Sequence, residues 1–160
     1  MAVGRLSKEK GFDLLIEALA LCKRPALQLT ILGEGPLRRE MEQLARDRGV
    51  GGQILFAGFQ SNPYPYFRHA DALVLSSRYE GFPNVVLEAL ACGVPVVSTP
   101  VPGATEIIGG VVGCAIADAI SAESLARELG RITKGTRVSP DAVRPYEVGT
   151  IVRRYEAALA

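Results

Sequence analysis

The 160 residues predict an α/β domain built as a parallel sheet with helices on both faces, and three observations carry that prediction. Short apolar runs rich in Val, Ile and Leu alternate with segments whose apolar residues recur at helical spacing, the order of a βαβ chain. The strand-like runs are continuously apolar, as strands buried on both faces are. Hydrophobic residues make up 48% of the chain, and the length suits one well-buried domain and is too short for two of ordinary size. A single domain is expected over residues 1–160.

In chain order, Met1, Ala2 and Val3 run straight into Gly4-Arg5. A strand there would be shorter than the usual five or six residues, so an upstream portion is expected to be missing. Phe12 to Lys23 reads as a helix by its apolar spacing, and Leu27 to Leu32 as a strand. Pro36 to Arg48 is a helix opened by Pro and closed at Gly49. Ile54 to Ala57 and Ala72 to Ser76 are strands bounded by turn residues. A helix follows Pro83 and stops at Gly93, then Val94 to Ser98 and Val111 to Ile116 are strands. Ser121 is placed to cap a helix over Ala122 to Arg131. Gly130 to Pro145 reads as a loop, and Glu147 to Leu159 as the last helix.

Composition excludes several classes. Eighteen Lys and Arg against seventeen Asp and Glu leave a net charge of +1, so no general polyanion-binding surface and no nucleic-acid partner are expected. Cys22, Cys92 and Cys114 are odd in number, far apart and set in apolar stretches, which fits neither a disulfide framework nor a zinc site and suits a reducing cytosol. No long uncharged apolar run predicts a membrane span, and Glu9, Asp13 and Glu17 make the start unlike a secretory signal.

Ligands of open parallel sheets collect at the carboxyl ends of the strands. That rule gathers the loops Gly4–Gly11, Gly33–Pro36, Gly58–Asn62, Ser76–Asn84 and Thr99–Thr105 on one edge. Arg5 and Lys10 in GRLSKEKG could clamp a diphosphate, Arg with its planar fork and Lys as a mobile charge, or could be solvated charges of a polar turn. Gly33-Glu34-Gly35-Pro36 either is a plain turn or lines a nucleotide pocket; Arg38 stands where a dinucleotide fingerprint needs its third Gly, which speaks against NAD. Pro83 suits a first helical position and leaves the amides of Gly81, Phe82 and Asn84 near a helix N-terminus, where an anion is favoured. His69, the one histidine, is assigned a helix-end or surface role and no chemistry.

Two carboxylates eight positions apart, Glu80 and Glu88 in SSRYEGFPNVVLEALACGVPVVST, are the most specific feature. Glu88 lies among Val85, Val86, Leu87, Ala89, Leu90, Ala91 and Cys92, the pattern of a buried helix. No Lys or Arg stands three or four residues away to pair with it. A buried carboxylate without donors is costly, and a ligand diol would supply them.

GRLSKEKG, LGEGP, SRYEGFPNVVLEALACGVPVVST and PGATEII, in this order and spacing, resemble the carboxyl-terminal donor-binding domain of a retaining GT-B glycosyltransferase. The family is the family-4 group that builds bacterial polysaccharides, lipopolysaccharides and glycolipids. The resemblance implies a Rossmann-like parallel sheet flanked by helices, the C-terminal half of a GT-B fold. It implies that Arg5 and Lys10 hold the donor diphosphate and stabilise charge on the leaving group, with no metal and no cofactor. Glu80, the first of the E-x7-E pair, would contact hydroxyls of the transferred sugar, and amides along Gly81, Phe82, Pro83, Asn84 and Val85 would approach sugar and phosphate. Glu88 would bind the ribose hydroxyls, while Gly33, Gly35 and Gly58 would line the nucleoside, UDP being favoured over GDP or ADP. An amino-terminal acceptor-binding half would be absent, and the terminal helix around Tyr146 to Ala160 would pack toward it. By the same resemblance the isolated domain would be inactive, and the full-length enzyme cytoplasmic, at most peripheral at the inner face of the membrane. A stand-alone nucleotide-sugar binding subunit and an epimerase or non-catalytic relative are the alternatives.

Overall fold

The computed structural model describes the backbone of residues 1–159 and the side chains of residues 1–153 and 157. Ala160, the last residue of the expected terminal helix, lies outside the described residues. β1 (Ala2–Val3), β2 (Leu29–Leu32) and β3 (Ile54–Gly58) form one parallel sheet in the order β1-β2-β3. β4 (Leu73–Leu75), β5 (Val96–Ser98) and β6 (Ala115–Ile116) form a second, also parallel, in the order β4-β5-β6. Met1 joins the two: its amino group donates to Ala72 O at 2.8 Å, and Val74 N donates to Met1 O at 2.8 Å. The result is a single layer ordered β3-β2-β1-β4-β5-β6, with the strand order reversing beside β1, the position at which open α/β sheets bind ligands.

Side chains alternate across this layer with the period of two that strands impose. Ala2, Ile31, Val74 and Val97 pack on one face with Leu15 and Ile16 of α1 (Phe12–Cys22), Met41 of α2 (Arg38–Asp47) and Leu125 of α6 (Ala122–Arg131). Leu73, Leu75 and Val96 pack on the other face with Phe67 of α3 (Tyr64–His69), Leu90 of α4 (Asn84–Ala91) and Ile107 of α5 (Pro102–Ile108). This double burial is why the strands read as continuous apolar runs. Ser121 caps α6 as its position predicts, its Oγ accepting from Ser124 N at 3.1 Å.

Several expectations are corrected. The strand expected over Val111 to Ile116 keeps only Ala115–Ile116, because Cys114 N turns back to Val111 O at 3.0 Å around Gly113, whose φ is 94°. α2 starts at Arg38 and not at Pro36, since the Leu37 amide is taken by Leu6 O at 3.1 Å. Two helices went unforeseen, α3 and α5, both short and opened by proline. The loop expected over residues 130–145 contains a 3-10 stretch, Pro140–Tyr146, started by Ser139 Oγ accepting from Asp141 N at 3.2 Å. The last helix, α7 (Val148–Leu159), begins one residue later than expected.

Candidate functional site

The carboxyl ends of the strands bring the first two loops together through backbone contacts. Leu6 N donates to Glu34 O at 2.9 Å, and Gly33 N donates to Gly58 O at 2.7 Å. Gly33 and Gly35 owe their identity to this lacing: a Cβ at Gly33 would stand 1.9 Å from Gly4 O, and one at Gly35 would stand 2.4 Å from Leu6 O. Their presence is therefore explained by close backbone approach, with or without a nucleoside beside them.

The Lys10 loop and the Glu80 loop are bound together still more tightly. Lys10 ends a short 3-10 turn, Lys8–Lys10, and Gly11 follows at φ 62°, where a Cβ would meet Ser76 O at 2.1 Å. Ser76 Oγ donates to Lys10 O at 2.9 Å, and Arg78 N donates to Glu9 O at 2.8 Å. Arg78 also forms a two-pronged pair with Asp13, at 2.7 and 2.6 Å, and its Nη1 donates to Lys8 O at 3.0 Å. Those hydrogen bonds from Arg78 hold the Asp13 carboxyl below the usual carboxylate range. Asp13, Ser76 and Arg78 escaped the sequence reading because their partners lie 65 or 66 residues away along the chain.

Lys10 Nζ forms an ion pair with Glu80 Oε1, and Ser77 Oγ donates to the same oxygen at 2.8 Å. The Glu80 side chain is only 11% exposed. Ser77 itself is buried, and its carbonyl accepts from Thr99 Oγ1 at 2.6 Å, so the acid is held from β4 and from the end of β5 together. Arg5 stands exposed nearby in sequence; its carbonyl accepts from Ser7 N at 2.9 Å, and its guanidinium donates no hydrogen bond among the described residues.

α4 opens beside this pair. Pro83 is the residue preceding its first turn, with ψ 90°, and not the first helical residue as expected. No side chain caps the helix, so the amides at Asn84 and Val85 are not taken up in that way. Gly81, Phe82 and Asn84 are exposed, and Phe82 leans on Tyr146 with ring centroids 5.9 Å apart. Glu88 corrects a second expectation: it is half-buried, along with Val85 and Leu87, and its carboxylate accepts no hydrogen bond among the described residues. The helix is apolar in composition, but this face lies open, so the carboxylate keeps water. His69 ends α3, with Nδ1 2.7 Å from Pro65 O, the helix-end role its sequence position gave it.

The family model described as Glycosyl transferases group 1 matches residues 1–157. The chain belongs to that family. This glycosyltransferase domain is 39% identical over 132 residues to the lipopolysaccharide core biosynthesis glycosyltransferase LpsE of Rhizobium meliloti, covering 82% of this chain and 38% of LpsE. Among solved structures it is similar to the carboxyl-terminal domain of a group 1 glycosyl transferase, LpcC, of Francisella tularensis, at a TM-score of 0.74 and 29% identity over 92% of this chain and 85% of that one. It is also similar to Anabaena HepE in complex with UDP and glucose, at a TM-score of 0.79 and 25% identity, covering 99% of this chain and 47% of HepE. The domain thus spans less than half the length of LpsE and HepE. No helix among the described residues is long and apolar enough to cross a membrane.

Proposed function

We propose that this domain is the carboxyl-terminal, donor-binding half of a retaining family-4 glycosyltransferase of GT-B fold. The complete enzyme moves a sugar from a nucleotide diphosphate sugar to a saccharide or lipid-linked acceptor in polysaccharide, lipopolysaccharide or glycolipid synthesis. The observation that carries this reading is the Lys10–Glu80 pair at the strand ends, with Arg5 free beside it in sequence and the uncapped start of α4 next to it. That arrangement offers cations and amides to a diphosphate and a carboxylate to neutral hydroxyls. The likeness to HepE with UDP and glucose supports a uracil nucleotide over GDP or ADP.

In this reading Lys10 leaves Glu80 for the diphosphate, and Arg5 folds onto the same oxygens. Both cations offset the charge that builds on the leaving nucleoside diphosphate, the work that a metal does in other transferases. Glu80, held by Ser77, accepts hydrogen bonds from hydroxyls of the transferred sugar. Glu88, open to solvent before binding, takes the two ribose hydroxyls. The amides from Gly81 to Val85 approach phosphate and sugar, and the backbone around Gly33, Gly35 and Gly58 borders the nucleoside. The acceptor is read by an amino-terminal half, so this chain binds donor without turning it over. Any membrane contact, at the cytoplasmic face, belongs to that half.

Calorimetric titration of the chain with UDP, GDP and ADP tests the proposal. Saturable heat with UDP, weaker with the other two, is the expected result. Absence of heat with all three overturns it.

A further inference from the structure

Arg38, which fills the place of a fingerprint glycine, sends its three guanidinium nitrogens to three different parts of the fold. Nε donates to Glu42 Oε1 at 2.9 Å within α2, Nη1 to Glu34 Oε1 at 2.5 Å in the loop after β2, and Nη2 to Phe56 O at 3.1 Å in β3. The guanidinium carbon also lies 6.0 Å from the centre of the Phe56 ring. A lysine could not make these contacts at once, because an ammonium is a point charge and the guanidinium a rigid fork.

The contact with β3 falls at an irregularity of the sheet. Ile31 pairs with Phe56 but Leu32 pairs with Gly58, so β3 carries one extra residue, Ala57, over that step. Such a bulge breaks the ladder locally and re-aims the chain beyond it. Both carbonyls at the step accept from side chains: Phe56 O from Arg38, and Ala57 O from Gln60 Nε2 at 2.8 Å. Past the step Gly58 turns to φ 72°, and its carbonyl accepts from Gly33 N at 2.7 Å. Glu34 and Arg38 border it closely: a Cβ at Gly58 would stand 2.9 Å from Glu34 Oε1 and 3.7 Å from Arg38 Nη1.

We propose that Arg38, with Gln60 beside it, is a positioning residue for base preference, holding the β3 bulge that aims the backbone of Gly58 and Gly33 at the nucleoside. The inference rests on the donor reading, in which the backbone around Gly33, Gly35 and Gly58 borders the nucleoside. Hydrogen bonds weaken steeply with misalignment, so a base read by backbone atoms is discriminated by whatever fixes their direction. Side chains that never touch the nucleotide then decide which base fits. The ion pairs of Arg38 are partly exposed and contribute little stability, which separates this role from a merely structural one.

Arg38→Met, which keeps the apolar stem and drops the fork, is tested beside Arg38→Lys, Gln60→Ala and the parent chain. Affinities for UDP, GDP and ADP are measured by calorimetry, and exchange of the Gly33 amide by NMR without nucleotide. Arg38→Met is expected to lower UDP affinity by about tenfold, the worth of one backbone hydrogen bond to the base, and to bring UDP and GDP within about twofold of each other. Gln60→Ala should move both in the same direction by less, and Arg38→Lys should not restore the preference. The Gly33 amide should exchange faster in all three variants, since its acceptor, Gly58 O, is no longer held. A preference for UDP that survives Arg38→Met, or Gln60→Ala should the first not fold, overturns the proposal. Partial unfolding lowers all three affinities alike and leaves their ratio unchanged, so it does not imitate the expected result. A parent that binds the three nucleotides equally overturns the proposal and leaves the donor reading standing, whereas a parent that binds none overturns both.

Discussion

Glu80 and Glu88 lie eight residues apart at one edge of the sheet and stand in opposite circumstances. Glu80 is nearly buried, paired with Lys10 and anchored by Ser77, whose own carbonyl is held by Thr99. Glu88 lies on a half-open helix face, its carboxylate with no hydrogen bond among the described residues. The first acid is positioned before any ligand arrives, and its position depends on loops locked by Arg78 and Asp13. The second has no such partner to hold its side chain in place. A donor would therefore exchange a partner at one glutamate and add one at the other, and the two acids should respond differently to the same ligand.

The largest effect is expected from Lys10→Ala. In the proposed reading it removes a charge-assisted contact to the diphosphate, worth about 1.5 to 3 kcal/mol, so UDP binding should weaken by roughly 10- to 100-fold in calorimetry. Unchanged affinity would mean that Lys10 serves Glu80 alone. Glu80→Gln keeps the oxygen that Ser77 binds and dissolves the ion pair. Freed Lys10 should then bind UDP up to about 5-fold tighter, the span expected of a partly exposed pair, while turnover of the proposed two-domain enzyme should fall. Weaker UDP binding by Glu80→Gln would remove the partner exchange from the account. The smallest effect concerns the lock. Asp13 has a lowered pKa through Arg78, so its contribution is full above the ordinary carboxylate range and fades as pH falls through its folded value. Urea midpoints from pH 5 to 3 should drop less steeply in Asp13→Asn than in the parent; identical slopes would show that the pair carries no stability.

Much of this was legible in the sequence because it is local. The alternation of apolar runs and helical segments is a periodicity, and the positions of Arg5, Lys10, Glu80 and Glu88 are spacings. The lock was illegible because Asp13 and Arg78 meet only after the first and fourth strands are laid near each other. α3 and α5 were hidden for a different reason. PYPYFRH carries prolines and aromatics of modest helix propensity, and PGATEII opens with Pro-Gly, so tertiary packing of Phe67 and Ile107 decides what propensity does not. Glu88 was misjudged because apolar composition all round a helix says nothing of which flank the sheet leaves uncovered. Gly33 and Gly35 looked like ligand glycines and are demanded first by the backbone of Gly4 and Leu6.

The central claim is that Glu88 reads a ribose diol while the cations hold the diphosphate. Affinities of UDP and 2′-deoxy-UDP, measured by calorimetry on the parent chain and on Glu88→Ala, test it most directly. The account predicts that the parent prefers UDP by roughly tenfold, one charged hydrogen bond, and that the preference collapses in Glu88→Ala. A preference that survives the substitution, or a parent that does not distinguish the two nucleotides, would contradict it.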